Sequence, residues 1–297
     1  MSVILGHTLG TPHLDLFGAV DLFAASELDG IEVIWQNDYK SGMPENESLS
    51  MAPALLKHAK DAGLVVGCLT PYITDINNPD PEVRKRDIER YKVAIATAAA
   101  LECTKMRVYG GQLLGHEPEA EVEERWGHLV DSLGCLAKIA EENGVVLTVE
   151  NHFSTMTVSA TRTAELIKTV GSPFVQALYD QANLAFTHQE DYPEAIAVQS
   201  GMIGHVHVKD LEFIDENRQL QTGAVASIAE DDRVHYSRMI GTGILNWTDI
   251  LTELRKTGYD DTYSLEYEYR WNPQDLPEPE VGFLESGRLL RGILAQL

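Results

Sequence analysis

Eight short apolar runs punctuate the chain, at residues 2–6, 31–35, 64–70, 105–109, 145–149, 174–179, 202–208 and 262–267. Their length and their aliphatic, often β-branched composition predict buried strands. Between them apolar residues return at helical spacing, as in Leu16, Phe17, Val20, Leu22 and Phe23. Helices are predicted over 14–27, 51–62, 80–101, 118–143, 158–170, 192–199, 246–256 and 281–297. Asp80-Pro81 supplies an N-cap with proline at the first helical position, Asn246 opens another helix, and Gly144 closes the long one before it.

Eight strands alternating with eight helices predict an α/β fold, a parallel (β/α)8 TIM barrel formed as a single domain by residues 1–297. The rival is an open doubly wound sheet, which is disfavoured because no glycine-rich dinucleotide fingerprint follows the first strand. The rhythm breaks once, at the polar stretch 212–238, which carries no predicted element.

The ends of four successive strands are unexpectedly polar, since burying such groups is costly unless something pairs with them. The run at 145–149 passes into Glu150, Asn151 and His152, and the next three strands finish in Asp180, in His207 and in Glu266. Strand parity places Thr148, Glu150 and His152 on one inward face with Asn151 outward. By the same parity His205, His207 and Lys209 share a face, as do Ser264, Glu266 and Glu268. Barrel enzymes work at their strand C-termini. A single carboxylate there is ordinarily a cap or a salt-bridge partner, whereas two glutamates, an aspartate and a histidine closing successive strands predict one metal site. That oxygen-rich set with one imidazole suits Mn²⁺, Mg²⁺ or Co²⁺, with Zn²⁺ a further candidate. His7 and Trp35 end the first two strands and are candidates to line the pocket. Arg107 is a candidate to bind a substrate oxygen or to brace the barrel, and Asn183 follows Asp180 by one short turn.

Charge narrows the partners. Against 23 basic residues stand 46 acidic ones, a formal charge of −23, and the pI is near 4.7. Such a field repels phosphate backbones and anionic lipid surfaces, so neither nucleic acid nor membrane is expected. Cys68, Cys103 and Cys135 are odd in number and show no paired metal spacing, so they read as buried thiols in a reducing compartment. The start Met1-Ser2-Val3-Ile4-Leu5 lacks the basic opening and long apolar core of a signal peptide. The expected location is cytoplasmic.

The order Val149-Glu150-Asn151-His152, Tyr179-Asp180-Gln181-Ala182-Asn183, Gly204-His205-Val206-His207-Val208-Lys209-Asp210 and Ser264-Leu265-Glu266-Tyr267-Glu268 resembles the xylose isomerase-like barrels, and within them the sugar phosphate isomerase/epimerase branch. Gly241-Thr242-Gly243 ahead of Asn246-Trp247, and Gly258-Tyr259-Asp260 before the last strand, fit the same branch. The resemblance covers most of the chain. It implies that Glu150, Asp180, His207 and Glu266 hold one divalent metal, as the matching positions do in ketose 3-epimerases, and that Glu150 and Glu266 also exchange the proton. It implies that His205, first of the His-x-His pair, orients the site or touches substrate. The chemistry follows: Lewis-acid stabilisation of an enediolate makes the carbon-bound proton acidic enough for a carboxylate whose pKa is raised by burial. Two glutamates on opposite substrate faces serve epimerisation, while aldose–ketose isomerisation manages with one base.

The departures from the family pattern are specific. Its DNA-repair endonucleases have Asp-x-x-His where this chain has Asp180-x-x-Asn183, and an Asp-x-His that the segment Glu230 to His235 lacks. Together with the −23 charge, these departures argue against DNA cleavage. The long stretch 212–238 instead matches dehydratase-like relatives acting on inososes or dehydroshikimate, in which His152 and Lys209 would supply the acid–base group for loss of water. Glu268 is a candidate to contact substrate or to stay solvated beyond the strand end. The loop after the last strand has no glycine-rich turn and makes a poor phosphate cradle, favouring an unphosphorylated substrate. The expected activity is thus a metal-dependent isomerase or epimerase acting on a small carbohydrate or polyol-derived ketone. The alternatives are a lyase using the same metal, and a non-catalytic sugar-binding barrel or subunit. A homo-oligomer is compatible with the sequence.

Overall fold

The computed structural model describes residues 2–218 and 228–297. Among them the strands are β1 (Val3–His7), β2 (Gly30–Trp35), β3 (Val65–Pro71), β4 (Lys105–Tyr109), β5 (Val146–Glu150), β6 (Val175–Asp180), β7 (Ile203–Val208), β8 (Asp210–Phe213), β9 (His235–Arg238) and β10 (Thr262–Leu265). The helices are α1 (Leu16–Ala25), α2 (Ser48–Asp61), α3 (Pro81–Ala100), α4 (Glu119–Asn143), α5 (Ala160–Val170), α6 (Gln181–Phe186), α7 (Tyr192–Val198), α8 (Trp247–Lys256) and α9 (Pro279–Leu294). Strands β1 to β7 and β10 close a parallel barrel, and β8 pairs with β9 in a separate two-stranded sheet. The predicted barrel is the observed one, closed where β1 meets β10 with Val3 opposite Thr262.

Local chemistry sets the element ends. Asp80 accepts a hydrogen bond from the Glu82 amide at 2.9 Å and Asn246 from the Asp249 amide at 3.2 Å, each satisfying a helix N–H that has no partner within its own helix. Gly144 ends α4 at φ +67°, in the left-handed region where glycine pays no steric cost. The fully buried Phe23, Leu133, Leu251 and Phe283 belong to one continuous hydrophobic cluster, which joins the helical shell to the outer faces of the strands.

Two register shifts matter for the site. Between β6 and β7 the pairing passes from Ala177 opposite Ile203 to Leu178 opposite His205, so Asp180 stands level with His207. Without that slip Asp180 would meet Val206, whose side chain points to the other side of the sheet. The second shift, between Ile31 and Glu32, sets Glu32 opposite Cys68. Bulges of this kind re-aim side chains near active sites.

Three sequence expectations are corrected here. The polar stretch 212–238 is not devoid of structure: its ends form most of the β8–β9 hairpin, with Phe213 opposite His235. Residues 219–227 of that stretch, and Met1, lie outside the described residues. A short helix, α6, follows Asp180 directly, so the described residues contain a helix beyond the eight predicted. Cys68 and Cys103 are buried as expected, but Cys135 is exposed.

Candidate metal centre

Glu150, Asp180, His207 and Glu266 converge although they come from four strand ends. One ligand-type atom from each lies within 4.8 Å of all the others. His207 Nδ1 stands 3.3 Å from Glu150 Oε1, 3.3 Å from Glu266 Oε2 and 4.0 Å from Asp180 Oδ2, yet it makes no hydrogen bond. Asp180 is fixed by the start of α6, its Oδ1 accepting from the Asn183 amide at 2.8 Å. Its Oδ2 is also without a hydrogen bond, although Lys209 Nζ is 3.0 Å away. Glu150 is held on both sides: Oε2 accepts from Arg107 Nε at 2.7 Å and Oε1 from Asn183 Nδ2 at 3.2 Å. Gly110 belongs to the same support, because a Cβ there would sit 1.8 Å from Thr157 Oγ1, the hydroxyl that donates to the Glu150 carbonyl at 2.7 Å.

The electrostatics are those of too many acids in one place. Burial, reinforced by Glu266 and Glu150, pushes Asp180 up to about 7. Burial also works against Glu150, but the Arg107 guanidinium outweighs it and holds that carboxyl well below the usual range. Lys209 and His207 overcome burial in the same way at Glu266, so neither glutamate has the burial-raised pKa expected of the base. His207 itself is held well above its ordinary value, the carboxylates of Glu32 and Glu266 outweighing desolvation. Orphaned donor atoms amid excess negative charge are what a divalent cation would satisfy, and the oxygen-rich, one-imidazole set fits Mn²⁺-type ions. The residues present therefore fit the expected metal.

Beneath this cluster lies a second polar layer centred on Glu32, a residue the sequence reading treated only as part of a strand. Glu32 Oε2 is 2.9 Å from His205 Nε2, and Oε1 is 3.0 Å from His207 Nε2 and also accepts from Thr70 Oγ1. His205 Nδ1 contacts Thr262 Oγ1 at 2.7 Å, so its ring is satisfied at both nitrogens. Fully buried, His205 lies outside the cavity lining and is removed from the expected substrate contacts. His7 points its Nε2 at Glu32 from 3.5 Å, and Trp35 is packed in the hydrophobic cluster. Neither lines the cavity above. Cys68 also approaches Glu32 and His205, but burial and the nearby carboxylate keep its thiol protonated, which makes it a poor ligand.

A cavity of about 820 Å³, counting its open mouth, lies over the cluster. Its walls are aromatic, from Tyr72, Tyr109, Phe153, Phe186 and Trp271. Its expected polar members are Arg107, His152, Lys209, Glu266 and Glu268. Glu150, Asp180 and His207 do not reach its surface, and Asn183 sits behind Glu150 instead of facing substrate space. Lys209 Nζ bridges Glu266 Oε2 at 2.7 Å and Glu268 Oε1 at 3.3 Å. His152 packs on Phe153 with centroids 4.1 Å apart, and burial brings its pKa down to about 4. Asn151 is buried and clasps β6 by donating to the Asp180 carbonyl at 2.7 Å and accepting from the Asp180 amide at 3.1 Å. Arg233 and His235, which the sequence reading did not single out, enter the cavity from the β8–β9 side. Arg233 is anchored there by Asp275. No helix among the described residues is long and apolar enough to cross a membrane.

Comparisons with known proteins agree with this architecture. Inosose dehydratase of Bacillus thuringiensis (strain Al Hakam) is 25% identical over 148 residues, covering 49% of this chain and 48% of that protein. That of Geobacillus thermodenitrificans is 25% identical over 146 residues, with 49% and 48% covered. The chain thus spans about half the length of the curated relatives it matches. Among solved structures, L-ribulose 3-epimerase superposes with a TM-score of 0.76 at 19% identity, covering 100% of this chain and 97% of that one. The probable 3-DHS dehydratase AsbF of Bacillus anthracis gives 0.75 at 18%, covering 98% and 99%. The IOLI protein, solved with a zinc atom, gives 0.76 at 17%, covering 99% and 97%. A sequence model described as xylose isomerase-like TIM barrel matches residues 20–291, and the chain belongs to that family.

Proposed function

We propose that the chain is a divalent-metal-dependent isomerase or epimerase acting on a ketose or related hydroxyketone. The carrying observation is the convergence of Glu150, Asp180, His207 and Glu266 within 4.8 Å under a cavity lined by aromatic and polar side chains. A divalent ion held by these four residues, Mn²⁺ by preference, with Mg²⁺, Co²⁺ and Zn²⁺ as the other candidates, supplies Lewis-acid stabilisation of charge developing on the substrate oxygens.

The protein's own groups do the rest. Glu266 faces the cavity and stays ionised beside Lys209, so it is the better placed of the two glutamates to take a proton from carbon. Glu150, gripped by Arg107 and Asn183, serves as second base only by loosening one of those bonds. Aromatic walls exclude water, and Arg107, His152 and Glu268 offer hydrogen bonds to hydroxyl groups. The substrate class is a small carbohydrate or polyol-derived ketone, and neither nucleic acid nor membrane enters the reading.

A second reading, a dehydratase, is supported by Lys209. Its ammonium lies in the cavity and, despite burial, is held protonated by Asp180 and Glu266, so it can deliver a proton to a departing hydroxyl. Similarity to inosose dehydratases and to a probable 3-DHS dehydratase supports the same reading.

Incubation with ketoses, inososes and related cyclic ketones in D₂O plus Mn²⁺, followed by NMR, separates the two. Deuterium beside the carbonyl without loss of water is expected for the isomerase or epimerase, and loss of water for the lyase. No exchange with any substrate, together with no bound metal by elemental analysis, overturns both and leaves a non-catalytic sugar-binding barrel.

A further inference from the structure

Glu32 stands outside the four-residue metal set, yet its carboxylate holds both histidines of β7. Oε1 meets His207 Nε2 at 3.0 Å, and Oε2 meets His205 Nε2 at 2.9 Å. An ionised carboxylate only accepts hydrogen bonds, so each ring nitrogen facing it carries the proton. For a neutral His207 this leaves the lone pair on Nδ1, the nitrogen that faces Glu150 and Glu266 and has no hydrogen bond of its own. We propose that Glu32 is the positioning residue that fixes the tautomer and ring orientation of His207, so that Nδ1 is presented to a divalent cation.

Glu32 is itself clamped from below. His205 Nδ1 contacts Thr262 Oγ1 at 2.7 Å, Lys105 Nζ donates to the same hydroxyl at 2.7 Å, and Lys105 Nζ pairs with Asp261 at 2.7 Å. Asp261 is half exposed, so a column of polar contacts runs up the barrel from a solvated carboxylate to the metal ligand. With Oε2 tied to His205 and Oε1 shared between Thr70 and His207, Glu32 has no free rotation. Outer carboxylates that orient ligating imidazoles in this way commonly contribute 10–100-fold in metal affinity, on the order of magnitude seen when they are replaced.

The inference rests on the metal reading of the four-residue cluster, and its test separates the two. Chelator-treated parent and Glu32→Gln are titrated with Mn²⁺ by calorimetry without substrate, with circular dichroism of the metal-free proteins as the folding control. The parent is expected to bind one ion and folded Glu32→Gln to bind about 10–100-fold more weakly. No binding by the parent overturns the metal reading and the positioning role together. Binding by folded Glu32→Gln within about threefold of the parent overturns the positioning role alone. A second measurement does not depend on the variant folding: ¹⁵N-histidine NMR of the Zn²⁺-loaded parent. His207 is expected to carry its proton on Nε2 and to coordinate through Nδ1; coordination through Nε2 overturns the proposal.

Discussion

Two polar layers are stacked inside one barrel, and they differ in how far their hydrogen bonds close. In the lower layer Glu32, Thr70, His205, Thr262 and Lys105 satisfy one another, and His7 Nε2, 3.5 Å from Glu32, is left without a hydrogen bond at the edge of that network. In the upper layer His207 Nδ1 and Asp180 Oδ2 remain without a hydrogen bond, and burial, reinforced by the neighbouring Glu266 and Glu150, raises Asp180 to about 7. Both layers are buried, so burial of charge does not by itself mark a functional site. What separates them is unmet coordination. A closed network rigidifies a core, whereas an open one beneath a cavity is poised for something the chain does not provide.

The largest expected effects fall in the upper layer. Glu150→Gln and Glu266→Gln should each abolish substrate–solvent proton exchange followed by NMR in D₂O, a loss of about 10²–10⁴-fold for an acid–base group. An active Glu266→Gln enzyme would refute the two-base reading, and its geometry makes Glu266 the more demanding of the two tests. Removing the metal comes next. Saturation at about a hundredfold over Kd stabilises the fold by roughly 2.7 kcal/mol, so thermal unfolding with and without Mn²⁺ should show a shift in the parent that Asp180→Asn at least halves. In the lower layer Thr262→Val strips His205 and Lys105 of a shared partner and should cost about 1–3 kcal/mol in denaturant unfolding. Its Mn²⁺-induced shift should persist, and loss of that shift would erase the distinction between the layers. The smallest effect is expected at the partly open rim, where Glu268→Gln should change stability by less than about 1 kcal/mol and leave Mn²⁺ affinity as it was.

The same contrast explains what was legible in the sequence. Glu150, Asp180, His207 and Glu266 announced themselves because a polar side chain ending a buried strand is costly, and four in succession demand a common cause. Glu32 gave a fainter version of that signal, a lone carboxylate within the apolar run 31–35. Its meaning depends on contacts to β7, 173 and 175 residues away, and on a register shift beside it, neither of which local pattern encodes. The hairpin was hidden in 212–238 because only His235 and Ser237 of β9 are buried, too few to stand out from a polar background. Helix α6 is only six residues long, shorter than the window that reveals helical periodicity. His7 and Trp35 were placed correctly at strand ends, but His7 turns its ring to Glu32 and Trp35 packs in the hydrophobic cluster, directions that strand position alone does not fix.

The most direct test of the upper layer is a calorimetric Mn²⁺ titration of the chelator-treated parent beside Asp180→Asn, without substrate. A single ion bound by the parent, with at least about tenfold weaker binding by the variant, is the predicted result. Absence of binding by the parent, or equal binding by a folded Asp180→Asn protein, would contradict the assignment of Glu150, Asp180, His207 and Glu266 as one metal centre.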